Sequence, residues 1–418
     1  MTVFHAPIRF FLGANTPQGF VGFADELYDP ADGWQAYLIK SGPGTGKSSL
    51  MRRVYERLTA LSIDAEAICC SSDPSSLDGV VFPELKMCLL DATAPHVVEP
   101  KFWGAVEQIV PLAICVDETA LHARAAENRQ ATEANRTLHV RCRKYIHAAA
   151  SLLRENRRAG TEALDEEKVR RLACRTARQE FGGSTGEGRI SHRFLSAITP
   201  DGPQVFFETA QALCPRIYTI EDDYGVAATA FLSEIARQAQ KAGVDGIACP
   251  CPLAPEEGAE HLLFPSIGVG FITSHMFHKV DFPVYRRIHA TRFYDAEQLR
   301  AKRQVAAFNR RAAAELLAQA QAFAAEAKSV HDDMERFSIG AMDWDRARAM
   351  GDAVLEKFEA AAVRFLATRE YLSTLTIPRL GCDRLTLATG VGILAAKEWM
   401  QHDKDTAEGS VATDVYRW

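Results

Sequence analysis

Hydrophobic residues along this chain fall into short apolar runs and long amphipathic stretches. The run WQAYLIK, Trp34–Lys40, is apolar enough to be a buried strand. After a glycine-rich segment comes LMRRVYERLTAL, Leu50–Leu61, in which the apolar residues recur at helical spacing. This order predicts a strand, a loop and a helix near the start of the chain.

Two much longer stretches, 117–181 and 295–366, are rich in Ala, Arg, Glu and Leu and contain almost no Gly or Pro. Each exceeds the length of an ordinary globular helix. We therefore predict that each stretch forms a helical hairpin, with breaks near 158–161 and 339–342.

The chain also repeats itself. FLGANTPQG begins at Phe11 and FLSAITPDG begins at Phe194. Tyr37 matches Tyr218, an offset of 218 − 37 = 181 positions, and with this offset SIDAEAICC lies over GVDGIACPC without a gap. A repeat of this length indicates two copies of a whole domain rather than short solenoid units.

The segment between the first predicted strand and helix, KSGPGTGKSSL, carries the chemistry. It contains GTGKS, the core of the phosphate-binding motif G-x-x-x-x-G-K-[ST], with Ser41 in place of the first Gly. Glycines let backbone N–H groups surround phosphate oxygens, and the helix N-terminus adds its positive dipole end. Lys47 is predicted to reach the β and γ phosphates, and Ser48 to hold Mg²⁺. The predicted nucleotide-binding residues are Gly42, Pro43, Gly44, Thr45, Gly46, Lys47, Ser48 and Ser49.

The second copy provides an internal control for this motif. At the same offset Gly46 becomes Ala227, Lys47 becomes Ala228, and Ser41-Gly42 becomes Asp222-Asp223. The lysine is lost and two carboxylates face the place where phosphate would lie. We therefore expect the second copy to keep the fold and to be inactive toward nucleotide.

A P-loop enzyme needs a further acid for Mg²⁺, and two are candidates. Asp117 ends LAICVD, but it matches Asp295, and both open a long helical stretch, so we interpret both as helix N-caps. Asp91 ends KMCLLD and matches Thr273, so it disappears in the copy that has lost its lysine. We favour Asp91 as the Mg²⁺ ligand and count it with Lys47 among the catalytic residues.

Three further acids are candidates to orient or deprotonate the attacking group: Asp73, Glu84 and Asp78. Each could equally be a turn or cap residue. His96 and His278 occur at matching positions in both copies, which favours a structural role. Cys249 and Cys251 are interpreted as strand-end residues rather than metal ligands.

These patterns predict an α/β fold of tandem P-loop NTPase-like domains with mainly parallel sheets, each followed by a long helical hairpin. The predicted segments are a P-loop domain at 1–116, a helical extension at 117–181, a linker at 182–189, a degenerate repeat at 190–294, a second helical extension at 295–370, and a C-terminal helix with a flexible tail at 371–418.

Composition and charge narrow the class of protein. The 418 residues are 47% apolar with a net charge of −6, an ordinary globular balance in which nucleic-acid binding is unlikely to be the main role. The ten cysteines are scattered, no signal peptide is recognised, and no apolar run is long enough to span a bilayer. We therefore expect a cytoplasmic protein without membrane contact.

Several motifs carry a resemblance. NTPQGF, the P-loop, CCSSDPSSLDGVVFPELK and LLDATAPHVVEP occur in this order in a family of bacterial proteins described as tandem P-loop ATPases. The chain resembles that family up to about residue 370, including HDDMERFSIGAMDWD at His331–Asp345. The resemblance implies a P-loop ATPase fold and nucleotide binding at Gly42–Ser49. Family members often have a second GKS/T loop where this chain has YGVAAT, and Gly at the position of Ser41.

We expect a Mg²⁺-dependent ATPase with one active site, in which the helical extensions bind a protein partner or a second copy of the chain. ATP is expected rather than GTP because no guanine-reading motif is found. A small-molecule kinase and a nucleotide-gated switch or scaffold are the alternatives. Five arginines are candidates for the cation that stabilises transition-state charge, and the sequence does not choose among them: Arg189, Arg193, Arg286, Arg287 and Arg292.

Overall fold

The computed structural model describes residues 6–182 and 185–374, with side chains up to residue 369. The chain divides into two compact units, 1–358 and 359–418. The described part of the second unit is helical, and the predicted C-terminal tail, from residue 375 onward, lies outside the described residues.

The first copy contains eight strands and four α-helices within the described residues. Its strands are β1 Arg9–Phe11, β2 Gly13–Thr16, β3 Gly19–Gly22, β4 Gln35–Ile39, β5 Glu66–Cys69, β6 Leu77–Phe82, β7 Met87–Asp91 and β8 Glu107–Val110. Its helices are α1 Lys47–Ala60, α2 Glu118–Ala123, α3 Ala125–Ala163 and α4 Glu166–Phe181.

The second copy repeats this sequence of elements. Its strands are β9 Ile190–His192, β10 Ser196–Thr199, β11 Gly202–Val205, β12 Arg216–Glu221, β13 Gly246–Pro250, β14 Ala259–Phe264, β15 Val269–Ser274 and β16 Arg286–His289. Its helices are α5 Phe207–Leu213, α6 Val226–Lys241, α7 Ala296–Ile339 and α8 Trp344–Thr374, of which α8 continues into the second unit.

Each copy forms a six-stranded sheet, and the two sheets have the same strand order. The first sheet runs β1-β5-β6-β7-β4-β8, and the second runs β9-β13-β14-β15-β12-β16. Neighbouring strands are parallel except at β6 and β14, which are antiparallel to both neighbours. The chain is therefore an α/β protein with mixed, mostly parallel sheets, built as a tandem repeat.

The two long helices do not fold back as hairpins, and this corrects the sequence-based prediction. The helix α3 packs along α7, the equivalent helix of the other copy. Small and apolar residues form the seam, among them Cys142 and Ala149 on α3 and Ala313 and Ala320 on α7. The first helical stretch breaks at 164–165, a few residues beyond the predicted place, whereas the second breaks at 340–343 as predicted.

Each break pairs with the beginning of the other copy's helical stretch. In one direction Asp117 N donates to Ala341 O over 2.7 Å; in the other, Asp295 N donates to Ala163 O over 2.8 Å. The helix that follows each break then packs on the other copy. The last helix of the first copy, α4, packs against α6, and Phe358 of α8 packs between Tyr37 and Phe82 of the first sheet. The two copies have thus exchanged their terminal helices.

Among the described residues, no helix is long and apolar enough to cross a membrane.

Candidate functional site

The loop Lys40–Gly46 joins β4 to α1, in the strand-loop-helix context that was predicted. Gly44 and Gly46 have φ of +72° and +86°, in the left-handed region that a side chain would strain. Gly46 is the N-cap of α1, and the helix begins at Lys47. The backbone N–H groups of the loop and of the first turn of α1 therefore lie at a helix N-terminus, where an anion is favoured.

Lys47 and Asp91 are brought together as predicted. Asp91 ends β7 and pairs in register with Ile39, the last residue of β4. The Nζ atom of Lys47 lies 3.6 Å from Asp91 Oδ2 and donates a hydrogen bond to Gly42 O over 2.6 Å. Burial raises the pKa of Asp91, and the Lys47 ammonium opposes this shift. Both side chains are largely buried at the edge where the loop begins.

The remaining loop residues have structural contacts. The hydroxyl of Thr45 donates to Gly42 O over 2.9 Å, and Ser48 Oγ accepts a hydrogen bond from Leu77 N over 2.9 Å. Ser48 therefore ties the first turn of α1 to the start of β6. Ser41 is buried, and its Oγ has no hydrogen-bond partner among the described residues. The serine that replaces the usual Gly of the motif therefore gains no hydrogen bond from its hydroxyl.

Two of the three candidate acids lie on the same edge of the sheet as the loop. Asp73 accepts hydrogen bonds from Ser75 N and Oγ, and its Oδ2 lies 3.3 Å from Lys328 Nζ on α7. Asp78 is buried on β6, and its Oδ2 lies 3.2 Å from His96 Nε2. Burial lowers the pKa of His96, but the Asp78 carboxylate outweighs this effect and the net shift is upward.

Glu84 lies elsewhere, and its predicted role is wrong. It follows β6 in the turn before β7, at the edge where β4 begins: Gln35 N donates to Lys86 O over 2.9 Å there. The loop Lys40–Gly46 begins at the other end of β4. Because β6 is antiparallel to β7, the turn between them returns the chain to the edge remote from the loop. Glu84 Oε2 accepts a weak hydrogen bond from Asp64 N instead.

The two helix-cap predictions are confirmed. Asp117 caps α2 by accepting from Thr119 N and Ala120 N, and Asp295 caps α7 by accepting from Glu297 N and Gln298 N. The apolar residues before Asp117 form a 3-10 helix, Leu112–Cys115, rather than a strand.

The arginines proposed from sequence make their contacts away from the loop. Arg189 pairs with Asp29, Arg193 with Glu66, and Arg287 with Glu221. Arg292 stacks over Phe293, and Arg286 lies exposed on the edge strand β16. Among the described contacts, none of the five reaches the phosphate-binding loop.

The sequence-based reasoning missed the residues that do cover the loop. They belong to the segment from the end of α7 to the start of α8. A Cβ on Gly44 would lie 2.4 Å from Glu335 O, and a Cβ on Gly46 would lie 3.2 Å from the Trp344 ring. This segment falls within His331–Asp345, whose sequence carried part of the family resemblance. Its spatial position follows from the helix exchange, which no local pattern indicates.

The second copy's loop is folded around an internal carboxylate. Gly225 keeps the left-handed φ of Gly44, but Ala227 stands where Gly46 would be, and α6 begins directly after Gly225. Asp222 occupies the space within the loop: its carboxylate accepts hydrogen bonds from Tyr224 N, from Ala228 N and from the Tyr294 hydroxyl, all between 2.9 and 3.0 Å. Ala228 N, the equivalent of Lys47 N, is thus satisfied by an internal carboxylate, and Ala227 N donates to the Tyr294 hydroxyl over 2.9 Å.

Comparison of the sequence with protein-family models and with curated proteins, and of the fold with solved structures, finds no match.

Proposed function

We propose that the protein is a Mg²⁺-dependent P-loop nucleoside triphosphatase with one site, in the first copy, and that ATP is its substrate. The observation that carries this proposal is the Lys47–Asp91 pair at the mouth of a glycine loop between strand and helix. A triphosphate with its metal ion requires a cation for the phosphates and a carboxylate for the metal. The buried lysine at the helix N-terminus and the carboxylate at the end of the neighbouring strand are groups of these two kinds.

The roles follow from the chemistry of each group. The N–H groups after Gly44 would donate to phosphate oxygens. Lys47 would exchange its bond to Gly42 O for the β and γ phosphates, where its charge is needed. Ser48 and Asp91 would hold Mg²⁺, which supplies positive charge at the bridging oxygens. Asp73 and Asp78 are the acids available to orient the attacking water.

The second copy contributes through its helices rather than through its own loop. Lys328 approaches the first copy's site from α7 and pairs with Asp73, so it is the cation best placed to enter the site. This dependence implies that the isolated first copy would be inactive.

The proposal is tested by ATP binding and phosphate release with Mg²⁺, using matched substitutions in the two copies. Lys47→Ala and Ser48→Ala should abolish or strongly reduce turnover. Thr229→Ala, at the position equivalent to Ser48, should leave turnover unchanged. Turnover that survives Lys47→Ala would contradict the proposal, as would a folded native protein that binds no nucleotide.

A nucleotide-gated switch is the second candidate, favoured by the segment that covers the loop. The Glu335 backbone lies against Gly44 and leaves little room beside the loop. A triphosphate would therefore displace the end of α7. In that case nucleotide binds without turnover, and hydrogen exchange at 328–344 accelerates on binding. Turnover that appears only when a hydroxyl acceptor is supplied would instead indicate a kinase.

A further inference from the structure

A cluster of metal-binding side chains lies in the second copy, beside its inactive loop. Glu260 is on β14, and His275 and His278 are in the tight turn that follows β15. One ligand atom from each residue lies within 4.8 Å of the other two. His275 Nε2 is 3.0 Å and His278 Nε2 is 3.8 Å from the same oxygen, Glu260 Oε1. Ligands about 2.0–2.2 Å from a tetrahedral Zn²⁺ lie about 3.3–3.6 Å apart, so these distances bracket the required spacing.

His278 provides the strongest observation. Its ring hydrogen-bonds to the Thr273 backbone, and its Nε2 has no hydrogen-bond partner among the described residues, so Nδ1 carries the proton. An Nε2 lone pair therefore faces a carboxylate oxygen in a site that is nine-tenths buried. Two electron-rich atoms in that arrangement repel each other unless a cation lies between them.

The Glu260 carboxylate is also held from its other side. His261 Nδ1 accepts a hydrogen bond from Thr273 N over 3.2 Å, so its Nε2 carries the proton; that atom lies 3.5 Å from Glu260 Oε2 without making a hydrogen bond to it. Ser196 Oγ donates to the same oxygen over 3.4 Å. Such contacts orient a metal-binding carboxylate, and Oε1, now hydrogen-bonded to His275 Nε2 over 3.0 Å, would exchange that bond for the ion.

Comparison with the first copy shows what the second copy has gained. Asp78 and His96 occupy the positions of Glu260 and His278, but Thr93 stands at the position of His275 and Gly79 at that of His261. The first copy therefore has one imidazole at this place and the second copy has three. The additional histidines occur in the copy whose loop has lost its lysine.

A cavity of about 110 Å³ adjoins the cluster and is lined by both Glu260 and His275, with Arg157 and Arg310 on its far wall. A water or a small anion in this cavity could complete a four-coordinate ion. Binding through His275 Nε2 would place the ring proton on Nδ1, so the weak bond of 3.3 Å that this atom accepts from Phe277 N would be lost.

We propose that Glu260, His275 and His278 form a Zn²⁺ site in the second copy, open on the side of the cavity. Two imidazoles and one carboxylate are a ligand set that zinc accepts in proteins, with water in the fourth position. The proposal is independent of the ATPase proposal, since no residue of the first copy's loop takes part.

The test is metal binding by the full chain, stripped with chelator and titrated with Zn²⁺ against a chromophoric chelator. Co²⁺ provides a second readout, because a tetrahedral site with nitrogen ligands gives visible absorption. We expect one ion per chain. His275→Thr, which installs the first copy's residue, should weaken Zn²⁺ binding by at least about 100-fold, since even the loss of an orienting partner costs 10–100-fold. His278→Gln should do the same.

The matched control is His96→Ala, which removes the equivalent histidine of the first copy and should leave one Zn²⁺ bound. Circular dichroism and the unfolding midpoint of each variant establish that it is folded. The proposal is overturned if the native chain binds no Zn²⁺, if folded His275→Thr and His278→Gln bind it as the native chain does, or if His96→Ala removes it.

Discussion

The inactive loop of the second copy is expected to depend on one carboxylate for its stability. Asp222 is 3% exposed, and it accepts hydrogen bonds from two backbone N–H groups and from the Tyr294 hydroxyl. Asp222→Ala leaves these donors buried without a partner. An unsatisfied buried donor costs about 1–3 kcal/mol, and water entering from the adjacent cavity recovers part of this cost. We expect the variant to be less stable by about 3 kcal/mol.

Urea denaturation followed by far-ultraviolet circular dichroism measures the change in unfolding free energy. Asp223→Ala is the control, because this neighbouring side chain is exposed and its removal should change stability by less than about 0.5 kcal/mol. Formate offers a chemical rescue, since it supplies the missing carboxylate. At about ten times its dissociation constant it should restore about 1.4 kcal/mol to Asp222→Ala and nothing to the native chain. Equal stability of Asp222→Ala and the native chain, or equal effects of formate on both, would refute the reasoning.

Three further outcomes follow from particular contacts. Phe358→Ala should lower the unfolding free energy measured in urea by about 3–5 kcal/mol, because the fully buried ring packs on Tyr37 in the other copy's sheet. Val305→Ala, at an exposed position, should leave this free energy almost unchanged. Asn156→Ala should cost about 1–3 kcal/mol because it removes the buried bonds to Ala306 O and Asn309, and a second substitution of Asn309 should add less than its own separate cost. Because the pKa of His96 is raised in the folded state, its contribution to stability should be complete below about pH 6.5 and be lost as pH rises through the folded-state pKa. Plots of unfolding free energy against pH for the native chain and for His96→Gln should therefore converge at alkaline pH. Parallel plots would contradict this.

The first copy's loop could be predicted from sequence because its chemistry is local. The segment GTGKS specifies two left-handed glycines and a helix that begins at the lysine, and each of these needs only neighbouring residues. Asp91 could be found because the repeat provides a second copy in which both it and Lys47 are lost. The caps at Asp117 and Asp295 were likewise local, since an N-cap contacts only the first turn of its own helix.

The errors concern partners that are distant in sequence. An amphipathic pattern indicates that a helix buries one face, but it does not indicate which element covers that face. The pairing of α3 with α7 could therefore not be distinguished from two separate hairpins. Glu84 was misplaced because the antiparallel direction of β6 was unknown. Glu260 and His275 carry no spacing motif, and they meet only because β14 pairs with β15. The one available signal was the excess of histidines in the second copy over the first.

The exchange of terminal helices places the second copy's helices at the first copy's loop, although only the first loop contains a lysine. Asp117 and Ala341 match Asp295 and Ala163, so Glu335 of α7 and Arg157 of α3 are equivalent, and each covers the loop of the other copy. Glu335 covers the first loop through its backbone, and Arg157 covers the second loop through its guanidinium, which also pairs with Glu257. Deleting the second copy would therefore remove Lys328 and Glu335 from the surroundings of the first copy's loop and the Phe358 ring from its sheet in one step. On this reasoning the second copy supplies one wall of the site that is proposed in the first copy.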